Sequence, residues 1–400
     1  MIERYRQELE ERRQRGMLRR LTPLSGRYGC RSELDGREML NLSSNDYLGL
    51  GGDRELLARF YEEVGQEGSA ERYALGSASS RLLSGDTPTA HRLEERLAEA
   101  YGRESCLLFN SGYHANIGIL PALFGRSDAI FSDKLNHASI VDGMRLSTAE
   151  HRRYRHLDYD QLDLMLTRER QRYRHAVIVS ESVFSMDGDV ADLSRLVELK
   201  KRHNCLLYLD EAHAVGVYGD QGLGQAERQH LLADVDLLVG TFGKAWASVG
   251  AFVLLHGVLR DYLLNHSRSL IFTTALPPVV LSWNLFVLEQ LASFAARRDK
   301  LAMLSARLRQ RLGARGLCPA GDTNILPVMI GAADKAVHLA QEMRQLGYLV
   351  LPIRPPTVPE GTCRFRLSLT AAMEAEELDH LADVLRGLLG AASPGGGDLS

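Results

Sequence analysis

The stretch that decides the fold is LLVGTFGKA, residues 237–245, in which a short apolar run leads through a glycine turn to Lys244. A second apolar run, CLLYL at residues 205–209, continues into DEAH, which begins at Asp210 and ends at His213. Short apolar runs bounded by polar and turn residues are typical of buried strands. Open α/β sheets place their functional groups at the carboxyl ends of such strands, so both segments are expected to deliver chemistry there.

A lysine after one strand and Asp-x-x-His after another meet the needs of pyridoxal phosphate (PLP). The amine of Lys244 forms a Schiff base with the cofactor aldehyde, and the carboxylate of Asp210 keeps the pyridine nitrogen protonated, so that the ring accepts electrons. His213 lies three residues after Asp210, within reach of the phenolic oxygen, where a polar group stabilises the deprotonated phenol. The pattern therefore predicts a PLP site.

Apolar runs alternate with helical patterns from about residue 55 to residue 280. Together with the two runs above, the predicted strands are at residues 105–109, 129–132, 152–155, 176–180, 205–209, 237–239 and 251–255. Between two of them, Asp192 is a suitable N-cap for a helix. Strand and helix alternating at this spacing predict an α/β fold with a mostly parallel sheet covered by helices on both faces.

The two ends of the chain differ in character from this middle part. Residues 1–20 are rich in Glu and Arg and predict a surface helix. In the last third, the predicted elements are a charged helix at 297–312, strands of a smaller sheet at 324–330 and 348–351, and a closing helix at 374–389. We therefore expect an N-terminal helix and arm (1–50), a large cofactor-binding domain (51–285), a small C-terminal α+β domain (286–390) and a disordered tail (391–400).

Composition narrows the class of protein. The net charge of −3 does not indicate a polyanion such as nucleic acid as a partner. The chain opens on charged residues rather than an apolar signal, and no apolar stretch is expected to span a membrane. The five cysteines are odd in number and scattered, which indicates neither a disulfide framework nor a metal site. These features favour a cytoplasmic enzyme.

Further polar segments follow other predicted strands. Residues 110–114 (NSGYH) open a helix whose first backbone N–H groups, at Gly112 and Tyr113, suit a phosphate. His137 follows the strand at 129–132 and either is an ordinary loop histidine or stacks on the cofactor ring. Ser185 follows another strand and either reaches a polar group of the cofactor or is a turn residue.

Two competing motifs are disfavoured. The glycine-rich segment GDQGLG at 219–224 has the wrong spacing for a dinucleotide fingerprint, and no strand leads directly into it. Ser182 and Ser185 do not lie in a Gly-x-Ser-x-Gly nucleophile elbow, so a serine hydrolase is also disfavoured.

Across residues 1–390 the chain resembles the α-oxoamine synthases, which are fold-type I PLP enzymes. The motifs that carry this resemblance are NLSSNDYLGL (41–50), GSASSRLLSG (76–85), FNSGYHAN (109–116), NHAS (136–139), FSMDGD (184–189), DEAHAVGVYG (210–219), GTFGKA (240–245) and IFTTALPP (271–278). Within the family, the segment at 353–367 is most similar to the members that make 8-amino-7-oxononanoate in biotin synthesis.

This resemblance implies a PLP-dependent acyltransferase that condenses L-alanine with pimeloyl-CoA or a pimeloyl carrier protein and releases CO2 and the free thiol. Other members of the family are alternatives, such as a glycine C-acetyltransferase or an acyltransferase that uses glycine or serine. A cofactor-binding protein without catalysis is disfavoured, because Lys244, Asp210, His213 and His137 are all present.

The resemblance also implies roles for single residues. In catalysis, Lys244 removes the α-proton of the amino acid and His137 stacks on the cofactor. The cofactor contacts that it implies are Gly112, Tyr113, Ser185, Asp210, His213, Thr241 and Lys244, with Thr273 or Thr274 reaching the phosphate of the neighbouring subunit in a homodimer with shared active sites. The substrate contacts that it implies are Arg19, Asn45, His137, Arg354 and Thr357. No metal is implied.

Three residues depart from the family pattern. Met373 stands where a histidine is expected, Trp246 where a small residue is expected and Ala78 where glycine is common. Trp246, or the methyl group of Ala78, would narrow an acyl or CoA channel and so change the preference for acyl-chain length. The basic stretch at 168–175 fits either an acidic carrier protein or a solvated helix end, so the sequence leaves the form of the acyl donor open.

Overall fold

The structure is a computed structural model that describes residues 1–62, 64–66 and 68–390. The predicted disordered tail at 391–400 lies outside the described residues. The α-helices in chain order are α1 (Ile2–Gln14), α2 (Arg54–Tyr61), α3 (Ser69–Arg72), α4 (Pro88–Ala100), α5 (Gly112–Leu123), α6 (Ala138–Leu146), α7 (Tyr159–Glu169), α8 (Leu193–His203), α9 (Gln225–Arg228), α10 (Gly257–His266), α11 (Arg268–Ile271), α12 (Pro278–Gln290), α13 (Ala295–Gly313), α14 (Ala333–Gln345) and α15 (Ala375–Leu389).

Short 3₁₀ turns occur at Leu50–Gly52, Arg170–Arg172, Leu232–Asp234 and Leu291–Phe294, and a π-turn at Arg81–Gly85. The β-strands are β1 (Ser25–Tyr28), β2 (Arg31–Leu34), β3 (Arg37–Asn41), β4 (Ser105–Phe109), β5 (Ala129–Asp133), β6 (Glu150–Tyr154), β7 (Ala176–Glu181), β8 (Leu206–Asp210), β9 (Leu237–Thr241), β10 (Ala251–Leu255), β11 (Ile325–Gly331), β12 (Tyr348–Leu349), β13 (Pro352–Ile353) and β14 (Cys363–Ser368).

The chain divides into two compact units. The first unit comprises Met1–Asp53, Met186–Asp189 and the described part of Asp299–Ser400. The second comprises Arg54–Ser185 and Val190–Arg298. The boundaries proposed from the sequence for the separate domains stay a prediction.

The second unit contains a seven-stranded sheet in the order β4-β10-β9-β8-β7-β5-β6. The pairs from β9 to β6 are parallel, whereas β10 runs antiparallel to both β4 and β9. The strands β5, β7, β9 and β10 are buried along their whole length, as expected for strands covered on both faces. The prediction of an α/β fold with a mostly parallel sheet is confirmed.

The helices of this unit begin where the sequence provides a cap. Asp192 precedes α8, and its carboxylate accepts a hydrogen bond from the backbone N–H of Arg195 at 3.0 Å, as the sequence predicted. Asn204 ends α8 in the left-handed conformation, which frees the chain to turn into β8. The sheet and the helix α5 share one apolar core that includes Phe109, Ile119 and Tyr208.

The first unit contains two small sheets rather than one. One has the order β1-β2-β3-β12 and the other the order β11-β14-β13. The sequence predicted a single smaller sheet that holds both 324–330 and 348–351, and this was wrong. Tyr348 and Leu349 of β12 instead pair in parallel with Leu40 and Asn41 of β3, so that β12 extends the sheet formed by the N-terminal strands.

The N-terminal helix α1 lies entirely on the surface. None of its residues is buried, which confirms the predicted surface helix, although α1 ends at Gln14 rather than near residue 20. Its charges pair along one face, with Arg13 Nη1 lying 2.6 Å from Glu10 Oε2. Exposed pairs of this kind stabilise a helix only slightly, by a few tenths of a kcal/mol each.

One helical stretch, Pro278–Gly313, is long and apolar enough to cross a membrane by length and composition alone. No stretch able to span a membrane was expected from the sequence. The segment consists of α12, the turn at Leu291–Phe294 and α13, and 44% of its apolar window is buried inside the protein. A core helix passes the same test, so this finding gives only weak support for a membrane span.

Trp246 is part of the core of the second unit. Its ring is fully buried and lies 5.0 Å, centroid to centroid, from the ring of Phe242. Its carbonyl accepts a hydrogen bond from the indole N–H of Trp283 at 2.9 Å. The large side chain that departs from the family pattern therefore fills interior volume.

We expect Trp246→Ala to lower the free energy of unfolding by about 3–5 kcal/mol, because it removes a buried aromatic ring and leaves a cavity. Urea unfolding of the cofactor-free protein, followed by circular dichroism, measures this loss. Leu164→Ala is the control, since Leu164 is 57% exposed on α7 and its truncation should cost less than about 0.5 kcal/mol. Equal losses in the two variants would contradict the placement of Trp246 in the core.

Candidate active site

Parallel strands bring the polar groups of the second unit to one edge of its sheet. The neighbours β9, β8, β7 and β5 run in the same direction, so their carboxyl ends coincide. Asp210 is the last residue of β8 and pairs in register with Glu181, the last residue of β7. Lys244 follows β9 by three residues, and His137 follows β5 by four. The structure thus gathers residues that are up to 107 positions apart in sequence.

The loop that carries Lys244 is held by its own hydrogen bonds. The Thr241 hydroxyl donates to the carbonyl of Gly250 at 2.9 Å, and the backbone N–H of Phe242 donates to the same carbonyl at 3.0 Å. Gly240 permits this arrangement, since a Cβ there would lie 2.2 Å from Cζ of Phe252. The half-buried Lys244 therefore extends from a closed loop rather than a free one.

Asp210 is a buried carboxylate that accepts hydrogen bonds from two uncharged donors. Its Oδ1 accepts from the backbone N–H of Ala212 at 2.9 Å, and its Oδ2 accepts from the side-chain amide of Asn116 at 2.9 Å. A buried charge in this state is unfavourable unless a cation is supplied.

His137 is the N-cap of α6 and is fixed on both sides. Its backbone N–H donates to Glu181 Oε1 at 2.5 Å, and its ring Nδ1 lies 2.8 Å from the Ser139 hydroxyl. Burial is the main cause that lowers the pKa of the imidazole; Asp210 opposes this shift and Lys244 adds to it. His137, Asp210 and Lys244 are thus close enough to act on one another electrostatically.

Glu181 was not identified from the sequence as a site residue. It is buried, and burial is the main cause that raises its pKa well above the ordinary value, with Asp210 adding to the shift and Lys244 opposing it. A protonated Glu181 beside the ionised Asp210 avoids two adjacent buried negative charges. The only sequence signal for it is its place at the end of an apolar run, which many structural residues share.

The start of α5 forms an open cradle. The Ser111 hydroxyl caps the helix by accepting from the backbone N–H of His114 at 3.2 Å, while no atom lies within 4 Å of the position where a Cβ would extend from Gly112. Tyr113 is half-exposed, and its hydroxyl donates to Asp142 at 2.8 Å. A helix start with space in front of it is a suitable site for a phosphate group.

The remaining residues expected to contact the cofactor lie in the same unit. His213 and Ser185 are buried near the carboxyl ends of β8 and β7. Thr273 and Thr274 lie beside Asn110, whose side-chain amide donates to the Thr273 hydroxyl at 3.3 Å and to the carbonyl of Thr274 at 2.7 Å. Whether these threonines reach a neighbouring subunit stays a prediction.

The residues expected to contact the substrate lie in the first unit. Arg19 donates to the hydroxyl of Thr357 at 3.1 Å, and Arg354 donates to the carbonyl of Gly16. Burial is the main cause that lowers the pKa of Arg354, and repulsion from Arg19 lowers it further. Two guanidinium groups near enough to repel one another favour an anion between or beside them.

Asn45, the other expected substrate contact of the first unit, is fixed by neighbours that sequence reasoning missed. Its Oδ1 accepts from Arg366 at 3.0 Å and from the hydroxyl of Tyr47 at 3.2 Å. Arg366 is itself buried and donates to the Ser368 hydroxyl at 2.7 Å. Because these two donors hold the amide oxygen of Asn45, the direction in which its amide nitrogen points is fixed.

The residues present fit PLP. Asp210 supplies a buried carboxylate, which suits the pyridinium nitrogen of PLP. Lys244 supplies an amine at the same sheet edge, and the start of α5 offers backbone N–H groups to a phosphate. The three features match the three ends of the cofactor.

The other departures from the family pattern have structural explanations. Met373 is fully buried in the first unit, where a methionine packs as an apolar side chain. Ala78 is exposed and adopts a φ of +54°, in the left-handed region that disfavours residues with a Cβ. This backbone conformation is a reason for glycine to be common at that position.

Glu211, next to Asp210, anchors the loop that follows β8. Its carboxylate accepts from the Ser182 hydroxyl at 2.5 Å, from the backbone N–H of Gln225 at 3.1 Å and from that of Ala226 at 2.7 Å. Burial is nevertheless the dominant cause and raises the pKa of Glu211 to about 7. The folded protein therefore binds a proton at Glu211 more tightly than the unfolded chain does.

We expect this carboxyl to make the protein less stable as pH rises from about 4.5 to about 7, because ionisation is easier in the unfolded chain; above pH 7 the effect should level off. Between pH 5 and pH 8 the loss should be about 2–3 kcal/mol. Urea unfolding of the cofactor-free wild type and of Glu211→Gln across this pH range isolates the contribution of Glu211 to stability. Parallel stability curves for the two proteins would contradict it.

Comparisons with known proteins agree with this geometry. The family model for aminotransferase class I and II matches residues 37–385. The chain is 51% identical over 381 residues to an 8-amino-7-oxononanoate synthase of Chlorobaculum parvum, covering 95% of this chain and 97% of that protein.

Two solved structures are also similar. One is a serine palmitoyltransferase from S. paucimobilis with bound PLP, at a TM-score of 0.86 and 28% identity over 96% of each chain. The other is an 8-amino-7-oxononanoate synthase from Francisella tularensis, at a TM-score of 0.72 and 26% identity over 87% of this chain and 97% of that one.

Proposed function

Because the chain belongs to the α-oxoamine synthase family of fold-type I PLP enzymes, we propose that it makes 8-amino-7-oxononanoate from L-alanine and a pimeloyl thioester. It is a PLP-dependent acyltransferase. The observation that carries the chemistry is a buried Asp210 carboxylate at the same sheet edge as the amine-bearing loop of Lys244. The relatives named 8-amino-7-oxononanoate synthase, at about half identity over nearly the full chain, support the choice of substrates.

When bound, PLP supplies an aldehyde for the amino acid and a protonated ring that accepts the electrons released at the α-carbon. Asp210 keeps that ring protonated, because its ionised carboxylate lies in a buried setting where a positive charge is strongly favoured. Gly112 and Tyr113 would bind the phosphate, Ser185, His213 and Thr241 would hold other polar groups, and His137 would stack on the ring.

Lys244 is the proposed general base. With PLP and the amino acid bound, the amine of Lys244 would be the group that takes the α-proton and that returns a proton to the product. Its half-buried loop and the neighbouring His137, Asp210 and Glu181 limit water around it. The closed hydrogen bonding of the 241–250 segment keeps Nζ near one position, which favours proton transfer.

Arg354 and Asn45 are the proposed contacts of the amino-acid carboxylate. A guanidinium matches two carboxylate oxygens, and Arg354 is half-buried, so the interaction is partly shielded from water. Arg19 and Thr357 are proposed to bind the far end of the acyl chain. Since the pimeloyl group ends in a second carboxylate, the exposed Arg19 would recognise a charge that most other acyl chains lack.

We also propose a homodimer with shared active sites in the cytoplasm. An exposed apolar groove of the second unit supports the dimer, since it is lined by Ile117, Pro121, Leu146 and Phe272 and continues to Thr273. Phe272 is 70% exposed, which is unusual for so large an apolar side chain. A second copy of the chain on this groove would bring its own polar groups next to Thr273.

A second candidate is an acyltransferase that uses serine or glycine with another acyl thioester. The similarity to serine palmitoyltransferases of known structure favours it, because their TM-scores of 0.83 and 0.86 exceed that of the solved 8-amino-7-oxononanoate synthase. The sequence identities favour the first proposal, at 51% against 28–31%.

Lys244→Ala should retain the protein fold and bind PLP, but turnover should fall by about 10²- to 10⁴-fold, the usual contribution of a general base. Borohydride reduction followed by peptide mass spectrometry should trap the cofactor on residue 244 in the wild type and in the control variant, but not in Lys244→Ala. Lys201→Ala is the control, since Lys201 is 61% exposed and pairs with Asp234. A wild type with no trapped adduct at Lys244 refutes the proposal.

Substrate choice is tested by thiol release with alanine, glycine and serine, each against pimeloyl-CoA and heptanoyl-CoA. These donors have the same chain length, but heptanoyl-CoA has no terminal carboxylate. We expect alanine with pimeloyl-CoA to give the highest kcat/KM. Arg19→Gln should reduce kcat/KM about 10-fold or more for pimeloyl-CoA only, because it removes one charge-assisted hydrogen bond.

Arg13→Gln serves as the matched control, since Arg13 is 58% exposed and pairs with Glu10 rather than with Thr357. Higher activity with serine or glycine and a long uncharged donor would replace the first proposal by the second. An equal effect of Arg19→Gln on both donors would show that Arg19 does not bind the terminal carboxylate.

A further inference from the structure

Asn116 lies one turn into α5, among apolar residues, and is almost completely buried. Both of its amide protons are used: Nδ2 donates to Asp210 Oδ2 at 2.9 Å and to the Ser139 hydroxyl at 2.9 Å. Its oxygen accepts from the hydroxyl of Tyr208. The orientation of the amide is chemically determined, since an ionised carboxylate can only accept.

Ser139 carries the connection onward to His137. Its oxygen accepts from Asn116, so its own proton is free to be donated to His137 Nδ1 at 2.8 Å. The backbone N–H of Ser139 also donates to Nδ1, at 3.3 Å. A ring nitrogen that accepts two donors carries no proton, so the neutral imidazole keeps its proton on Nε2.

We propose that Asn116 is a positioning residue that couples Asp210 to His137 through Ser139. It fixes one oxygen of the Asp210 carboxylate and aligns the hydroxyl that holds the His137 ring. The inference rests on the proposed roles of Asp210 and His137 at the cofactor. It adds a reason for a polar amide within an otherwise apolar helix, where an apolar residue would serve packing alone.

The geometry leaves each Asp210 oxygen with capacity to spare. One oxygen accepts from Ala212 N–H and the other from Asn116, and each retains a further lone pair. Two neutral donors hold the carboxylate in place without neutralising it, as a salt bridge would. Asn116 thereby orients Asp210 while preserving the negative charge that the pyridine nitrogen requires.

Four variants separate this role from simple packing. Asn116→Asp keeps the shape and the Tyr208 contact but replaces the two N–H donors by an acceptor, whereas Asn116→Ala removes every contact. Ser139→Ala cuts only the branch to His137. The control is Asn284→Ala, since Asn284 is also fully buried but donates to the carbonyl of Val249 at 3.3 Å and to neither site residue.

The first measurement uses the cofactor-free protein and ¹⁵N NMR of the histidine side chains, with His137→Asn to assign the signal. In the wild type, His137 should be neutral with its proton on Nε2. Asn116→Asp should raise the pKa of His137 by up to about one unit, because position 116 no longer donates to the Ser139 hydroxyl, and that hydroxyl is no longer held as a donor to Nδ1. Ser139→Ala, which removes the hydroxyl, should shift the pKa in the same direction, and Asn284→Ala should leave it unchanged.

The second measurement follows the visible absorption of the PLP-loaded enzyme and its kcat as functions of pH. The two Asn116 variants should shift the pH midpoints by at least about 0.5 unit and lower kcat about 10- to 100-fold, as loss of a supporting hydrogen bond does at other cofactor sites, with KM for alanine changed less than threefold. Ser139→Ala should leave the absorption midpoint in place.

The proposal is overturned if wild-type His137 carries its proton on Nδ1, or if the Asn116 variants match Asn284→Ala in losing stability while keeping wild-type midpoints. The wild-type NMR result and Ser139→Ala decide the matter even where an Asn116 variant fails to fold. Failure of the proposed function is distinct, because it appears in the wild type as the absence of a borohydride-trapped adduct at Lys244.

Discussion

The structure of the site depends on one buried charge, the carboxylate of Asp210. Inside a protein such a group is unfavourable unless it is hydrogen-bonded and paired, and two neutral groups, the backbone N–H of Ala212 and the side-chain amide of Asn116, donate to it. The protein tolerates this charge because its two donors are placed by rigid elements, a strand end and the helix α5. In the proposed role of Asp210 the cofactor would add a positive charge beside this carboxylate, so that binding of PLP would also stabilise this region.

The neighbours of Asp210 are arranged to keep that charge single. Glu181 is its register partner across two parallel strands, and burial raises the pKa of Glu181 well above its ordinary value, with Asp210 adding to the shift. Burial also lowers the pKa of His137, although Asp210 opposes this shift. Both shifts favour the uncharged form of the neighbouring group, and a ligand that carries both a cation and an aldehyde suits the remaining pair, Asp210 and Lys244.

Much of the second unit could be predicted from the sequence. The strands β4 and β10 were placed to the residue, because continuous apolar runs bounded by polar residues have few alternatives to a buried strand. The first unit was harder. The short strands β2 and β3 are largely polar and only partly buried, and β12 and β14 join sheets by long-range pairing that no local pattern encodes. Tertiary contacts override propensity in such strands.

The site shows the same division between what is local and what is not. Lys244, Asp210 and His137 each lie at or just after the carboxyl end of a strand that the sequence predicted, so their residue types indicated the chemistry. Asn116 gave no such signal: it lies within a helix, and its partner Asp210 is 94 residues away. Its place at the end of the motif at 109–116 and its polarity inside an apolar helical run are the clues that the sequence provides, and their meaning requires knowledge of which strand end the helix faces.

The departures from the family pattern also divide by location. Trp246 is only two residues after Lys244, yet its ring turns into the core against Phe242, so the interior of the second unit and not a channel accounts for its size. Met373 is likewise interior. Ala78 is exposed and strained at a positive φ. Of the three, it is therefore the only one whose side chain is free to meet a substrate or a second subunit, and specificity arguments belong there rather than at the tryptophan.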